Sequence, residues 1–173
     1  MTTLSDILTA SAGNWTLVPD RSRVTFRNKT LWGLATVTGQ FTELAGEGSA
    51  DAAVSGRVEI AAASLHTGIG QRDRHLRSAD FFDVETHPDI TIRVTGLAPS
   101  GQDDEARLTT VLTVRGVSKT LELPVDVQVL DDGALQLSGQ CSVQRADFGV
   151  SGDLLGMVGP TTTLSGELVF TRD

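Results

Sequence analysis

From Trp15 to the end of the chain, apolar side chains recur at every second position in short runs, and that period fits strands rather than helices. The longest run is Leu121, Leu123, Val125, Val127 and Val129. Pro124 interrupts it and marks an edge or a bulge, because proline cannot donate to a ladder. Leu108, Leu112 and Val114 alternate in the same way, as do Ile90, Ile92 and Val94. Val24 with Phe26, and Val58 with Ile60, form shorter runs. Val37 and Phe41 flank Gly39, which predicts a bend or bulge in that strand. Asp131-Asp132-Gly133 is a hairpin turn leading into Leu135, Leu137, Cys141 and Val143, and Leu164, Leu168 and Phe170 form the last strand. A sheet this wide curls or closes. The expected fold is all-β, an antiparallel barrel of about eight strands, with an interior just wide enough for packed side chains or one slender ligand. Val111 breaks the polar face of its strand, which predicts that the N-terminal arm covers that side.

One stretch departs from the period. Between Gly70 and Asp89, the charged residues Arg72, Asp73, Arg74, His75, Arg77, Asp80 and Asp83 surround Leu76, Phe81 and Phe82. Leu76 precedes Asp80 and Phe81 at a spacing that suits a short helical insertion near 70–80 followed by an irregular run. Charges this dense beside aromatic rings must be solvated, paired or part of a site. Arg145 and Asp147 recur in Arg145-Ala146-Asp147-Phe148-Gly149. The two clusters are expected to meet at one end of the barrel as a salt-bridged plug, with Arg72 and Asp73 pairing Arg145 and Asp147. Asp80 and Asp83 read as helix-end caps or arginine partners.

Chemistry-bearing patterns are sparse. His66, His75 and His87 lie near Asp73, Asp80 and Asp83, but none falls in a His-x-x-x-His spacing, and His75 sits among arginines that repel a cation. No metal is expected. There is no Gly-x-Ser-x-Gly elbow, Cys141 is mid-strand with no histidine near it, and Gly68-x-Gly70 lacks the rest of a nucleotide loop. No catalytic residue is expected; the alternative is an enzyme acting on a hydrophobic small molecule through Arg72, Asp73 and His75.

Composition bounds the rest. The 173 residues suit one domain, 14–173, preceded by an N-terminal arm over 1–13. A net charge of −8 and a pI near 4.8 argue against nucleic acid and against an anionic membrane surface as partners. The single cysteine excludes an intrachain disulfide and reads as a small core residue. The first ten residues lack a basic start and a long apolar run, so no signal peptide is read there. No run approaches the ~18 apolar residues of a membrane span. The cytoplasm is the expected location, and exposed strand edges would let two chains pair as a homodimer.

Several motifs together resemble the YceI-like polyisoprenoid-binding family. They begin with Trp15-Thr-Leu-Val-Pro-Asp20-Arg-Ser22-Arg-Val24-Thr-Phe26 and Val37-Thr-Gly39-Gln-Phe41. Ser64-Leu-His-Thr67-Gly68, Arg72-Asp73-Arg-His75-Leu76-Arg-Ser78-Ala-Asp80-Phe81-Phe82-Asp83 and His87-Pro88-Asp-Ile90 follow. Leu112-Thr113-Val-Arg115-Gly116-Val117-Ser118-Lys119 and Arg145-Ala-Asp147-Phe148-Gly149 complete the set. Arg21 stands where the family usually has the histidine of an early His-Ser pair. The resemblance implies a lipocalin-like antiparallel β-barrel and a non-catalytic protein that carries or stores a long-chain isoprenoid or quinone-like lipid, with no other cofactor. On the early strands the expected tunnel wall is Phe26, Val37, Phe41, Val58 and Ile60. Later strands add Ile92, Val94, Leu112, Val114, Leu123, Val125 and Leu137, and Leu76, Phe81, Phe82 and Phe148 close the end near the ionic cluster.

Overall fold

The computed structural model describes residues 4–51, 53–100, 105–152 and 157–173. The loops expected at 99–104 and 151–157 fall partly outside them. The alternating runs become eleven strands of one antiparallel sheet. The first are β1 (Asn14–Leu17), β2 (Arg23–Thr30), β3 (Ala35–Phe41), β4 (Leu44–Ala50), β5 (Val54–Ala61) and β6 (Leu65–His66). The rest are β7 (Asp89–Pro99), β8 (Glu105–Val114), β9 (Val117–Val129), β10 (Leu135–Gln144) and β11 (Thr161–Arg172). Among the described residues the α-helices are α1 (Leu4–Ala10) and α2 (Gly70–Arg77), the latter within the ionic stretch.

Eight strands close the barrel in the order β1-β4-β5-β7-β8-β9-β10-β11, and β11 returns to β1. Strand β11 is long enough to hold two partners on one side. Its first half pairs with β2, Leu164 opposite Phe26, and its end pairs with β1, Phe170 opposite Leu17. A 3-10 turn at Pro19–Arg21 separates β1 from β2. The β2–β3 hairpin therefore hangs from the ring beside β11, and β6 adds a two-residue margin to β3.

Two glycine and proline positions resolve differently from one another. Gly39 makes no bulge, since its register with Phe26 runs unbroken. It is buried under the Phe26 ring, and a Cβ there would lie 2.2 Å from Phe26 Cζ. The glycine is required by that close approach, and the irregularity falls instead between Val94 and Gly96 on β7. Pro124 sits where a strand loses a partner, because the β9–β10 ladder ends at Val125 opposite Gly139.

The two ends of the barrel are closed differently. At one end α1 buries Leu4 and Ile7 with Trp15, Ala106, Leu108, Val125, Val127 and Leu135. These partners are inward-facing, so the arm lies across the barrel end and not over the Val111 face. Leu4 and Ile7, with Leu8, hold a helical spacing that turns one face to the core. Trp15 fastens the arm by donating from Nε1 to the Ser11 carbonyl at 2.7 Å, and the Arg172 guanidinium stacks 4.9 Å over its ring. At the other end, residues 62–88 and the 3-10 turn Arg145–Phe148 fold across the opening.

Candidate functional site

The inward faces of the strands enclose a cavity of about 190 Å³. Its wall is almost wholly aliphatic and aromatic, as the period-2 pattern requires when one face of every strand points to a common axis. Of the side chains singled out in the sequence, Phe26, Phe41, Val58, Ile60, Phe82, Ile92 and Val94 border this space. So do Leu112, Val114, Leu123, Val125, Leu137 and Phe148. Val37, Leu76 and Phe81 do not. Val37 lies high on the β2–β3 hairpin and is half-buried, whereas Leu76 and Phe81 belong to the end segment and pack into the main core cluster.

Other wall residues share the faces already read but were not included. Val24 precedes Phe26, Ile90 precedes Ile92, and Leu108 and Leu121 precede Leu112 and Leu123, each in phase. Leu164, Leu168 and Phe170 of β11 also line the space, and their alternation was the signal. Cys141 is part of the wall, and burial pushes its thiol above the usual range. A wider, open hollow of about 630 Å³ lies outside β9, β10 and β11, lined by Arg23, Asp126 and Glu167 among others. Its lining mixes these charged side chains with Pro124 and Val125, unlike the apolar wall of the barrel interior.

The end nearest α2 is organised by aromatic packing and by arginines. Phe82 meets Phe26 and Phe41 edge-on, with ring centroids 6.0 and 5.9 Å apart. Arg145 borders the cavity and donates to four carbonyls, those of Gly159, Val150, Gly152 and Val158. Arg115 donates to the carbonyls of Ala79 and Phe81, and Arg77 to those of Ala63 and Leu65. These planar forks stitch irregular backbone that would otherwise present buried carbonyls without donors. Gly152 is held so closely that a Cβ there would lie 2.2 Å from the Asp80 carbonyl oxygen.

The expected ion pairing between Arg72/Asp73 and Arg145/Asp147 does not occur among the described residues. Arg145 is taken up by carbonyls, and Asp147 is exposed. Asp73 is instead the centre of a local knot. It is 4% exposed and accepts hydrogen bonds from the Thr67 amide at 3.0 Å and the Thr67 hydroxyl. Arg72 donates to the Thr67 hydroxyl and carbonyl, and His66 Nδ1 lies 3.5 Å from the carboxylate. Burial alone would raise the Asp73 carboxyl, but the Thr67 hydrogen bonds and the nearby His66 and Arg77 charges outweigh it and hold it below the usual range. His75 turns outward and pairs with exposed Asp80 at 3.1 Å, so Asp80 serves a histidine rather than an arginine. Arg21 reaches Asp132 at 2.7 Å on the surface. Among the described residues no His, Cys, Asp and Glu cluster could hold a metal, and no helix is long and apolar enough to cross a membrane.

Residues 15–170 match the YceI-like domain. The chain belongs to that family. A UPF0312 protein of Pseudomonas fluorescens is 31% identical to this YceI-like chain over 137 residues, covering 70% of the chain and 68% of the relative. One from Azotobacter vinelandii is 30% identical over 133 residues, with the same coverage. Among solved structures, BcnA of Burkholderia cenocepacia shares the fold with a TM-score of 0.81 at 23% identity, over 90% of this chain and 99% of that one. A polyisoprenoid binding domain from Saccharophagus degradans, implicated in plant cell wall breakdown, gives 0.77 at 17% identity over 92% and 98%. At these identities the structural likeness establishes the fold of the YceI-like barrel.

Proposed function

We propose that this YceI-like protein binds a long-chain isoprenoid, of polyprenyl or quinone type, in the barrel cavity, as a carrier or store and not as a catalyst. The observation that carries the reading is the cavity itself, a space between the strands whose wall offers apolar side chains from β2 around the ring to β11. Such a wall recognises methyl and methylene groups and little else. Burial contributes roughly 0.8 kcal/mol per CH₂, so a few isoprene units give tight binding without polar recognition. The solved neighbour described as polyisoprenoid-binding supports the same ligand class. No observation favours the alternative of an enzyme, because His75 faces solvent and Asp73 and Arg72 are committed to Thr67.

The test is native mass spectrometry of freshly purified protein, followed by organic extraction and, for any apo material, addition of a short polyprenol. A one-to-one adduct that extraction removes, or that added polyprenol restores, is the expected result. Failure of both to bind would overturn the reading. Leu112→Asp puts a charge into the wall and should abolish the adduct; a variant that stays folded with wild-type lipid content would exclude this cavity as the site.

A further inference from the structure

The β2–β3 hairpin ends in a tip that carries exposed apolar side chains. Leu31, Trp32 and Leu34 are 41%, 66% and 87% exposed there. Leu31 and Trp32 both hold left-handed backbone, with φ of 51° and 55°. Asparagine and glycine enter that region readily, whereas leucine and tryptophan do so against steric resistance. Turn formation alone would not place two large apolar side chains at these positions.

The charge of the hairpin is opposite to that of the molecule. From Arg21 to Thr42 the chain carries Arg21, Arg23, Arg27 and Lys29 and no acidic residue, in a protein with 14 basic and 22 acidic residues. Arg21 is paired with Asp132, and Arg23 lies opposite Glu167 in the β2–β11 register. Arg27 and Lys29, nearest the tip, are exposed and join no ion pair among the described residues. Their cross-strand neighbours are Thr38, Thr36 and Thr163. A tryptophan-bearing apolar tip backed by cations matches a bilayer interface, where the ring sits at headgroup level and the cations meet phosphates.

We propose that the β2–β3 hairpin tip docks on a bilayer containing anionic lipid, with Trp32 and Leu34 entering the headgroup region and Arg27 and Lys29 contacting phosphates. The tip is too narrow for a protein interface, which buries about 800 Å² on each partner. A second copy meeting it about a two-fold axis would bring the same cations face to face. The net charge of −8, which argues against an anionic membrane for the surface as a whole, does not hold at this hairpin: the rest of the surface is repelled and only the basic tip is drawn in. Docking also brings the bilayer to the lined end of the barrel. Gly159 donates to the Lys29 carbonyl at 2.8 Å, and its own carbonyl accepts from Arg145 of the cavity wall. The surface is complete without a ligand, so it stands or falls apart from the isoprenoid reading.

Delipidated protein is mixed with vesicles of phosphatidylcholine alone, or of phosphatidylcholine and phosphatidylglycerol in equal parts, and followed by cosedimentation and tryptophan emission. Trp15 is buried and Trp32 exposed, so a blue shift on binding reports the tip. Binding is expected to the mixed vesicles, weakened by salt, and reduced about tenfold by Trp32→Ser or by Lys29→Glu. Unchanged thermal unfolding of both variants separates this from misfolding. Absence of binding, equal binding by the Trp32→Ser variant, or concentration-dependent self-association that protects Trp32 without vesicles would overturn the proposal.

Discussion

Asp73 is the side chain on which the segment between β6 and α2 depends. Its carboxylate answers the Thr67 amide and hydroxyl, and Thr67 in turn orients Arg72. Asp73→Asn keeps the shape but removes the charge and points an amide donor at other donors. A loss of about 2–3 kcal/mol in the urea unfolding free energy is expected. The pH dependence has a definite sign. The carboxyl is held below its ordinary value of 3.8 in the folded state, so its contribution is complete above that value and is lost as the pH falls toward the depressed one. The difference between wild type and Asp73→Asn should therefore close on acidification and be constant near neutrality. Arg145 gives a second residue-scale prediction. Lysine keeps its charge but cannot span four carbonyls held on two sides of a planar fork. Arg145→Lys should destabilise by about 2 kcal/mol and raise the lipid dissociation rate measured by exchange between protein and vesicles.

At the scale of elements, α1 completes the core of one barrel end instead of trailing from it. Leu4 is 1% exposed, so Leu4→Ala should cost about 2–5 kcal/mol, and Leu4→Asp more, in thermal or urea unfolding. In the sequence this stretch read only as an arm over 1–13, because the barrel end that Leu4 and Ile7 pack into exists only after β1, β8 and β10 have closed. Strands were legible for a simpler reason. A half-buried strand writes its inward face into every second residue, so Phe26, Ile92, Leu112 and Leu123 could be placed on the wall from sequence. The α2 end was legible only as chemistry. Arg72, Arg77 and Arg145 stood out as charges near phenylalanines, but guanidinium groups bond carbonyls as readily as carboxylates, and carbonyls leave no mark in a sequence. That is why a salt-bridged plug was expected where backbone stitching is found. Gly39 misled similarly, since the need for a glycine came from the Phe26 ring on the neighbouring strand.

For the whole molecule, closing the ring satisfies every strand of the barrel on both sides over part of its length and leaves β3 and β6 as the margin. The two ends of that ring are not equivalent. One is spanned by separate pieces of irregular chain held by arginines; the other is filled by α1, whose Leu4 and Ile7 meet the same Leu108 and Val125 that line the cavity. A vessel with a filled floor works as a dipstick. A chain threaded into it gains contact with each added carbon until it touches bottom, and any further length stays outside in water. Plotted against polyprenol length, the binding free energy should climb steadily, then run level, and the length at the break would read the depth of the barrel directly. Leu4→Ala, by lowering the floor, should move that break toward longer chains.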